Sequence, residues 1–278
     1  MSIKRYKPTT SGRRHASVIK RDKIGEQKRV KKLIQKLPYR AGRSNGKISV
    51  RHKGNRAKRA YRMIDFSNPV EDKKAEVIGI QYDPYRTADI ALLKYEDGSL
   101  SYTLAVQNLK LGDIIETSRK RSLDMNPGNR MILKHIPAGV MICNIELSPK
   151  SKASSVRSAG SSATVLSQEP PFVQVKMPSS EVRKFNENCL ITIGQVSNPE
   201  HSLIRLGKAG RKRHMGIRPT VRGKAMNPVD HPHGGGEARN SIGLKQPKTP
   251  WGKKALGVKT RKPNKASNTL IIRRRKKK

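Results

Sequence analysis

Short stretches of alternating or continuous apolar residues, separated by turn residues, run through the middle of the chain. Such stretches, bounded by Gly, Pro, Asn and Asp, are typical of β-strands joined by hairpins. The Asp97-Gly98 pair marks one hairpin turn, and Pro178-Ser179-Ser180 marks another. The pattern predicts two small β domains, with a break near 126–129 (NPGN). The predicted strand segments are 75–83, 89–95, 100–106, 113–117, 131–136, 140–147, 172–177, 181–186 and 189–196.

The two flanks lack this pattern. Residues 22–37 carry a ragged apolar face (Ile24, Val30, Leu33, Ile34, Leu37) and form a candidate helix that Pro38 would end. The C-terminal flank is rich in Gly, Pro, Lys and Arg and poor in bulky apolar residues. Because it buries little apolar surface, we expect it to become ordered only against a partner.

Charge separates the middle from the flanks. The formal net charge is +41. Residues 1–62 contain 22 Lys and Arg but 2 Asp and Glu, residues 63–200 contain 16 of each kind, and residues 201–278 contain 23 and 2. All of the net charge therefore lies in the flanks, and the middle has the balance of an ordinary globular protein.

A charge of this size needs a polyanion beside it, and nucleic acid matches it over a large area. The sequence has no run of 18 apolar residues for a membrane helix, and its first residues, MSIKRYKPTTSGRR, show no secretory signal. We therefore expect no membrane partner. The two cysteines, Cys143 and Cys189, are too few and too distant for a disulfide framework, which favours a reducing compartment.

The stretch 227–239 (NPVDHPHGGGEAR) allows three interpretations. His231 and His233 beside Asp230 could ligate zinc, but the chain has no CxxC to complete the usual ligand set. An Asp-His pair could transfer protons, but no nucleophile elbow or phosphate-binding glycine signature accompanies it. The third interpretation, which we favour, is a stiff loop of Gly234, Gly235 and Gly236 inserted into folded RNA.

Basic clusters surround this loop in sequence, at 49–62, 207–224 and 245–263. Arg and Lys neutralise phosphates, and an aromatic ring stacks on an unpaired base. A run of charged residues is also typical of a solvated surface, so no single cluster by itself distinguishes an RNA-binding surface from a solvated one. The candidate RNA-binding residues are Arg51, His52, Lys53, Arg56, Lys58, Arg59, Arg62, Arg211, Lys212, Arg213, Arg218, Arg222, Arg239, Trp251, Lys253 and Lys254.

Several longer motifs resemble the universal large-subunit ribosomal protein two family, over roughly residues 40–278. In the basic C-terminal flank they are AMNPVDHPHGGGEAR with LGKAGRKR and RPTVRG before it and TPWG and RRRKKK after it. In the middle they are YDPYRTADIALLKYEDG, IPAGVMICNIEL, VRSAGSSATVL and MPSSEVRKFNENCLITIGQVSN.

The resemblance implies a mainly β fold, an OB-fold barrel followed by an SH3-like barrel, with long basic irregular extensions at both ends. It implies four segments. They are a basic N-terminal extension at 1–62, an OB-fold RNA-binding domain at 63–127, an SH3-like barrel at 128–198 and a basic C-terminal extension at 199–278.

The same resemblance implies a structural constituent of the large ribosomal subunit that is not an enzyme and needs no cofactor or metal. Its partners would be large-subunit rRNA, neighbouring ribosomal proteins, the small subunit through an intersubunit bridge, and nearby tRNA. The residues Asp230, His231, His233, Gly234, Gly235 and Gly236 would lie in a loop near the peptidyl-transferase centre, with His231 the favoured histidine.

KKALGVKTRK, after TPWG, is similar to cyanobacterial and plastid members, which favours a ribosome of the plastid stroma over one of the bacterial cytoplasm. A rival interpretation is a DNA-compacting architectural protein, which would also be basic. Two neutral barrels with a rigid Gly/Pro loop fit that class poorly.

Overall fold

The computed structural model describes residues 3–20, 29–66, 72–237 and 240–275 of the 278-residue chain. It divides into two compact units. We call Met1–Tyr39, Lys58–Lys208 and Thr269–Lys278 the barrel unit, and Arg40–Ala57 with Ala209–Asn268 the basic unit.

The described part of the chain before residue 67 forms short two-stranded pairs. The elements are β1 (Ile3–Arg5), helix α1 (Ser11–Arg14), β2 (Ser17–Ile19), a 3-10 helix (Lys31–Leu33), β3 (Ile34–Gln35), β4 (Arg43–Ser44), β5 (Lys47–Ile48) and β6 (Tyr61–Arg62). Strand β1 pairs with β2, β3 with β6, and β4 with β5, all antiparallel.

The helix predicted for 22–37 is wrong over its described part. Residues 22–28 lie outside the described residues, and the remainder contains the 3-10 helix and β3. Val30 and Leu33 pack against a buried cluster that includes Tyr102. The apolar residues lack regular helical spacing because the segment is not an α-helix. Val30 and Leu33 contact the sheet from a short, largely extended segment.

The first sheet of the barrel unit has four antiparallel strands in the order β10-β7-β8-β9. Its strands are β7 (Lys74–Gln81), β8 (Ile90–Tyr95), β9 (Leu100–Leu104) and β10 (Ile114–Glu116). Burial along β7 alternates, because successive side chains point to opposite faces. The Asp97-Gly98 turn is confirmed. Gly98 has a φ of 77°, and the Asp97 Oδ1 accepts hydrogen bonds from the amide and hydroxyl of Ser99.

The second sheet has the strand order β11-β18-β12-β15-β16-β17-β19, with β13 and β14 paired beside it. Its apolar core is formed by Met131, Leu133, Ile136, Ile142, Ile145, Ala163, Val165, Val173, Val175, Phe185, Cys189, Ile191 and Ile193. The strands are β11 (Arg130–Ile132), β12 (Met141–Cys143), β13 (Ile145–Glu146), β14 (Ala153–Ser155), β15 (Ala163–Glu169), β16 (Phe172–Lys176), β17 (Val182–Asn186), β18 (Leu190–Ile193) and β19 (Ile271–Arg273).

These two sheets confirm the predicted fold class: a mainly β chain with an OB-fold barrel followed by an SH3-like barrel and basic extensions. One strand of the second sheet comes from the C-terminal flank, which the sequence predicts to be irregular. Strand β19 pairs with β17, and the Leu270 carbonyl accepts a hydrogen bond from the Lys184 amide. The apolar run Leu270-Ile271-Ile272 supplies this edge strand.

A buried ion pair joins Arg119, which follows the strands of the first sheet, to Glu146 in β13 beside the second sheet. Glu146 is fully buried and accepts two hydrogen bonds from Arg119, at 2.6 and 3.2 Å. Its Oε2 also accepts from the Leu190 amide at 3.0 Å. Arg130 is buried nearby, and burial lowers its pKa to about 10 although Glu146 opposes the shift. The carboxylate of Glu146 therefore compensates cations that the fold takes out of water.

The two cysteines are buried in strands or beside them and form no disulfide with each other. Burial raises the pKa of the Cys143 thiol to about 12 and that of the Cys189 thiol to about 11. Both therefore remain protonated and serve as small apolar side chains. In the described part of the chain, no helix has the length and apolar character needed to cross a bilayer.

The described residues of the basic unit form no hydrophobic core. The unit contains 21 Lys and Arg against Asp230 and Glu237. Among its described residues only Gly216 and His231 are buried. Its regular elements are β4, β5, helix α2 (Ala209–His214) and 3-10 helices at Gly223–Ala225 and Ala266–Asn268. Backbone hydrogen bonds therefore hold this unit together, and apolar burial contributes little.

Candidate RNA interface

The glycine-rich loop of the basic unit is closed by its own backbone. The Asn227 carbonyl accepts hydrogen bonds from the amides of Asp230, at 3.0 Å, and His231, at 3.2 Å. The Gly235 amide donates to the Met226 carbonyl at 3.1 Å, which closes the loop from the other side. The side chain of Asp230 lies on the exposed surface of this turn.

The two histidines form a hydrogen-bonded chain through the loop. His231 is buried, and its Nδ1 accepts from the His233 amide at 3.0 Å. The Nε2 of His233 accepts from the Lys248 amide at 2.8 Å, and the two ring centres are 4.6 Å apart. Each ring thus has an unprotonated nitrogen committed to a backbone donor. Partial burial, followed by the charges of His231, Lys224 and Lys248, lowers the pKa of His233.

The glycines of the loop mainly allow close packing within it. A Cβ atom on Gly234 would lie 2.3 Å from the Asn227 carbonyl oxygen. Outside the loop, a Cβ atom on Gly223 would lie 2.5 Å from the His231 ring. Gly235 and Gly236 have φ values of 91° and 72°, which favour glycine. The close approach that we find is to the loop's own backbone and to His231.

The structure brings two distant basic clusters together in the basic unit. The Gly54 amide donates to the Gly216 carbonyl at 3.0 Å, and the Arg218 amide donates to the His52 carbonyl at 3.0 Å. Lys53 and Ile217 form an antiparallel bridge between them. Their side chains line a cleft of about 480 Å³, formed by Ala41, Arg43, Ile48, Val50, Arg51, His52, Lys53, Gly54, Asn55, Arg213 and Arg218.

Trp251 lies at an exposed turn of the same unit. The Thr249 amide donates to the Lys253 carbonyl at 2.7 Å, and the side chain of Trp251 is 72% exposed. The guanidinium carbon of Arg51 lies 4.8 Å from the centre of the indole ring. Of the other predicted residues, Lys212, Arg222, Lys253 and Lys254 are exposed, and Arg56 and Arg211 are half-buried.

The residues of the predicted cluster 49–62 are divided between the two units. Lys58, Arg59 and Arg62 belong to the barrel unit. Arg59 donates to the Pro84 carbonyl at 3.1 Å, and Lys58 is exposed. Arg62 is buried, and its Nη1 donates to the Ala60 carbonyl at 3.0 Å. Arg239 lies outside the described residues.

A groove of the barrel unit contains a group of candidate RNA-binding residues that the sequence analysis missed. It measures about 870 Å³, and its lining includes Tyr61, Phe66, Tyr85, Arg86, Lys152 and Arg157 together with several serines. The rings of Tyr61 and Tyr85 meet edge to face at 5.3 Å. Cations and aromatic rings combined in one groove suit phosphate contact and base stacking.

Three cations of this groove surround Phe66. The charged groups of Arg157, Arg86 and Lys152 lie 4.7, 5.5 and 5.9 Å from the ring centre. Arg86 is also paired with the buried Asp83 at 2.6 Å. Burial and the neighbouring Arg86 lower the pKa of Arg157. The balanced charge of the middle segment gives no sign of this local excess, because none of the described residues that line the groove is Asp or Glu.

The described residues contain no cluster of three or more His, Cys, Asp or Glu side chains that could hold a metal ion. In the His231–His233 pair, two of the four ring nitrogens already accept backbone hydrogen bonds. The arrangement therefore supports a structural use of the pair inside the loop.

Two family models match the chain. Residues 30–117 match the model described as Ribosomal Proteins L2, RNA binding N-terminal domain. Residues 126–252 match the model described as Ribosomal Proteins L2, C-terminal domain. Together the two matches cover most of the sequence and contain both the groove and the histidine loop.

Proposed function

Because this chain belongs to the ribosomal protein L2 family, whose members are structural proteins of the large ribosomal subunit that bind rRNA, we propose that it binds rRNA through two surfaces. One is the aromatic and basic groove of the barrel unit. The other is the basic unit, including its histidine loop. Within this proposal the segments 63–127 and 128–198 are the two barrel domains, flanked by the extensions 1–62 and 199–278.

The observation that carries this proposal is the composition of the basic unit. It has 21 cationic side chains against 2 acidic ones, and almost none of its described side chains are buried. Such a segment repels itself unless a polyanion lies against it. RNA phosphates supply that charge, and the counterions released on binding drive the association.

The finer roles follow the family resemblance. The loop of Asp230, His231, His233 and the three following glycines would lie near the peptidyl-transferase centre, where RNA performs the chemistry and the protein supports it. The protein would also contribute to subunit association through an intersubunit bridge and to tRNA binding, beside neighbouring ribosomal proteins. The internal hydrogen bonds of the loop support this role, because they hold a defined shape that RNA can pack against.

We further propose the plastid stroma as the compartment, ahead of the bacterial cytoplasm. The segment KKALGVKTRK supports this choice through its similarity to cyanobacterial and plastid members. Fractionation of plastids and cytosol with an antibody against the chain tests it. Signal confined to plastid ribosomes is expected, and signal confined to another ribosome population would reject the compartment alone.

Sedimentation tests the ribosomal function directly. A tagged chain should sediment with the large subunit in a sucrose gradient and move to the top only after RNase treatment. A chain that remains at the top without RNase, or that follows DNA, would contradict the proposal. A variant in which a flexible linker replaces residues 209–268 serves as the comparison, because it removes most of the basic unit and keeps β19 in the barrel unit. This variant should lose most of the association.

A further inference from the structure

The cleft of the basic unit contains five cationic side chains and a histidine, and none of its described lining residues is Asp or Glu. The cations are Arg43, Arg51, Lys53, Arg213 and Arg218, with His52 beside them. Among the described residues, no carboxylate forms an ion pair with these five cations. No ion pair within the described residues therefore competes with an external anion for these five charges.

The cleft has a fixed backbone. The Gly42 carbonyl accepts hydrogen bonds from the amides of Ser49 and Val50, at 2.9 and 3.0 Å. A Cβ atom on Gly42 would lie 2.3 Å from the Val50 carbonyl oxygen. A Cβ atom on Gly54 would lie 2.9 Å from Cγ of Arg218, so that side chain packs directly on the glycine. These hydrogen bonds and close contacts define the positions of the donors, and a cleft of defined shape loses less entropy on binding.

Arg51 joins the cleft to Trp251. It lines the cleft, and its guanidinium covers one side of the indole ring at 4.8 Å. The ring remains 72% exposed, so another side is open to a second planar group. A base stacked there would have its phosphate close to the cleft. Bases inside a duplex cannot offer a free face, whereas an unpaired nucleotide can.

We propose that the cleft and Trp251 together form a site for one unpaired nucleotide of RNA, with the phosphate among the cations and the base on the indole. The cavity of about 480 Å³ lies within the range of small-molecule sites. The proposal rests on the RNA-binding function above and names which RNA element this surface takes. A nucleotide site differs from general phosphate contact, because binding by charge alone would not require stacking on Trp251.

Trp251 is the only tryptophan in the sequence, so its fluorescence reports on this site in the full-length chain. The probes are adenosine monophosphate, adenosine and inorganic phosphate, each titrated at low salt. We expect adenosine monophosphate to quench the fluorescence of Trp251 with a midpoint concentration at least about tenfold below that of adenosine. A charge-assisted hydrogen bond to the phosphate contributes about tenfold in affinity. Inorganic phosphate should compete without quenching. Equal midpoints for adenosine and its monophosphate would overturn the proposal.

Charge-removing variants separate the cleft from general electrostatics. Arg218→Gln and Arg43→Gln approach the cleft from different segments, so one remains informative if the other misfolds. Each should raise the monophosphate midpoint about tenfold. Lys176→Gln removes the same charge from an exposed position of β16 and should leave the midpoint unchanged. Equal effects of all three variants would refute a specific site.

The same proteins are then titrated with large-subunit rRNA. Binding of rRNA without any response to the monophosphate would reject the nucleotide site and leave the proposed function intact. Loss of both rRNA binding and the response to the monophosphate would reject the proposed function as well. Quenching by the monophosphate that Arg218→Gln and Arg43→Gln weaken, with rRNA affinity reduced in parallel, is the result that supports both.

Discussion

Gly223 lies against the imidazole ring of His231, so closely that a Cβ atom on the glycine would be 2.5 Å from Cε1 and Nδ1 of the ring. Carbon atoms in favourable contact are about 3.5–4.0 Å apart, so only glycine fits at this position without a shift of the ring. The same Nδ1 accepts the hydrogen bond from His233. The shape of the histidine loop therefore depends on a residue outside the loop motif.

Gly223→Ala should displace His231 and break the hydrogen-bonded chain from His231 to Lys248. Overpacking of this kind costs about 1–3 kcal/mol. We expect faster amide exchange at His233 and weaker incorporation into the large subunit, with no change in the melting temperature of the barrel unit. Gly210→Ala is the matched control, because a Cβ atom on Gly210 would meet no atom within 4 Å beyond its chain neighbours and the backbone of its own helix. Equal behaviour of the two variants would contradict this account.

Acidic pH should open the contact between His233 and Lys248. The pKa of His233 is lowered in the folded chain, and its neutral Nε2 accepts the Lys248 amide. This contribution is complete above the ordinary pKa of about 6.5 and is lost as the pH falls through the lowered value. Amide exchange, corrected for its intrinsic pH dependence, should show loss of protection at Lys248 as the pH falls through the lowered pKa of His233. The Ala255 amide, bound to the Pro247 carbonyl, should keep its protection.

Glu146→Gln should destabilise the barrel unit strongly. The substitution leaves Arg119 and the buried Arg130 without their compensating charge, which costs about 3–5 kcal/mol. Urea unfolding followed by circular dichroism measures the loss. Arg121→Gln is the comparison, because it breaks an ion pair with Glu116 in which the Arg121 side chain is 58% exposed. That pair should contribute less than about 1 kcal/mol, and a similar loss for both variants would refute the argument.

Arg157→Gln should weaken rRNA binding without unfolding the barrels. Arg157 lies over Phe66 in the groove, and the substitution removes one phosphate partner. The slope of log affinity against log salt should become smaller by about 1. Filter binding at several salt concentrations measures the slope, and Lys94→Gln on β8 serves as a charge-matched control. An unchanged slope for Arg157→Gln would exclude the groove from the RNA surface.

Local patterns in the sequence were sufficient for most strands of the two barrels. The predicted stretches 75–83, 89–95 and 100–106 contain or overlap β7, β8 and β9, and the Asp97-Gly98 turn forms as predicted. Alternation and turn chemistry act between near neighbours, so a single sequence reveals them. The segregation of charge is likewise a property of the sequence, and it directed the interpretation to a polyanionic partner.

Tertiary structure alone decided how the candidate site is assembled. In the structure, residues 51–56 lie beside residues 211–218, and Arg62 is buried in the barrel unit. Phe66, Arg86 and Arg157 line one groove. Strand β19 of the basic C-terminal flank pairs with β17, and the buried ring of His231 packs against Gly223. Each of these contacts joins residues whose pairing depends on the path of the whole chain, because periodicity specifies which face a residue occupies but not what lies opposite it.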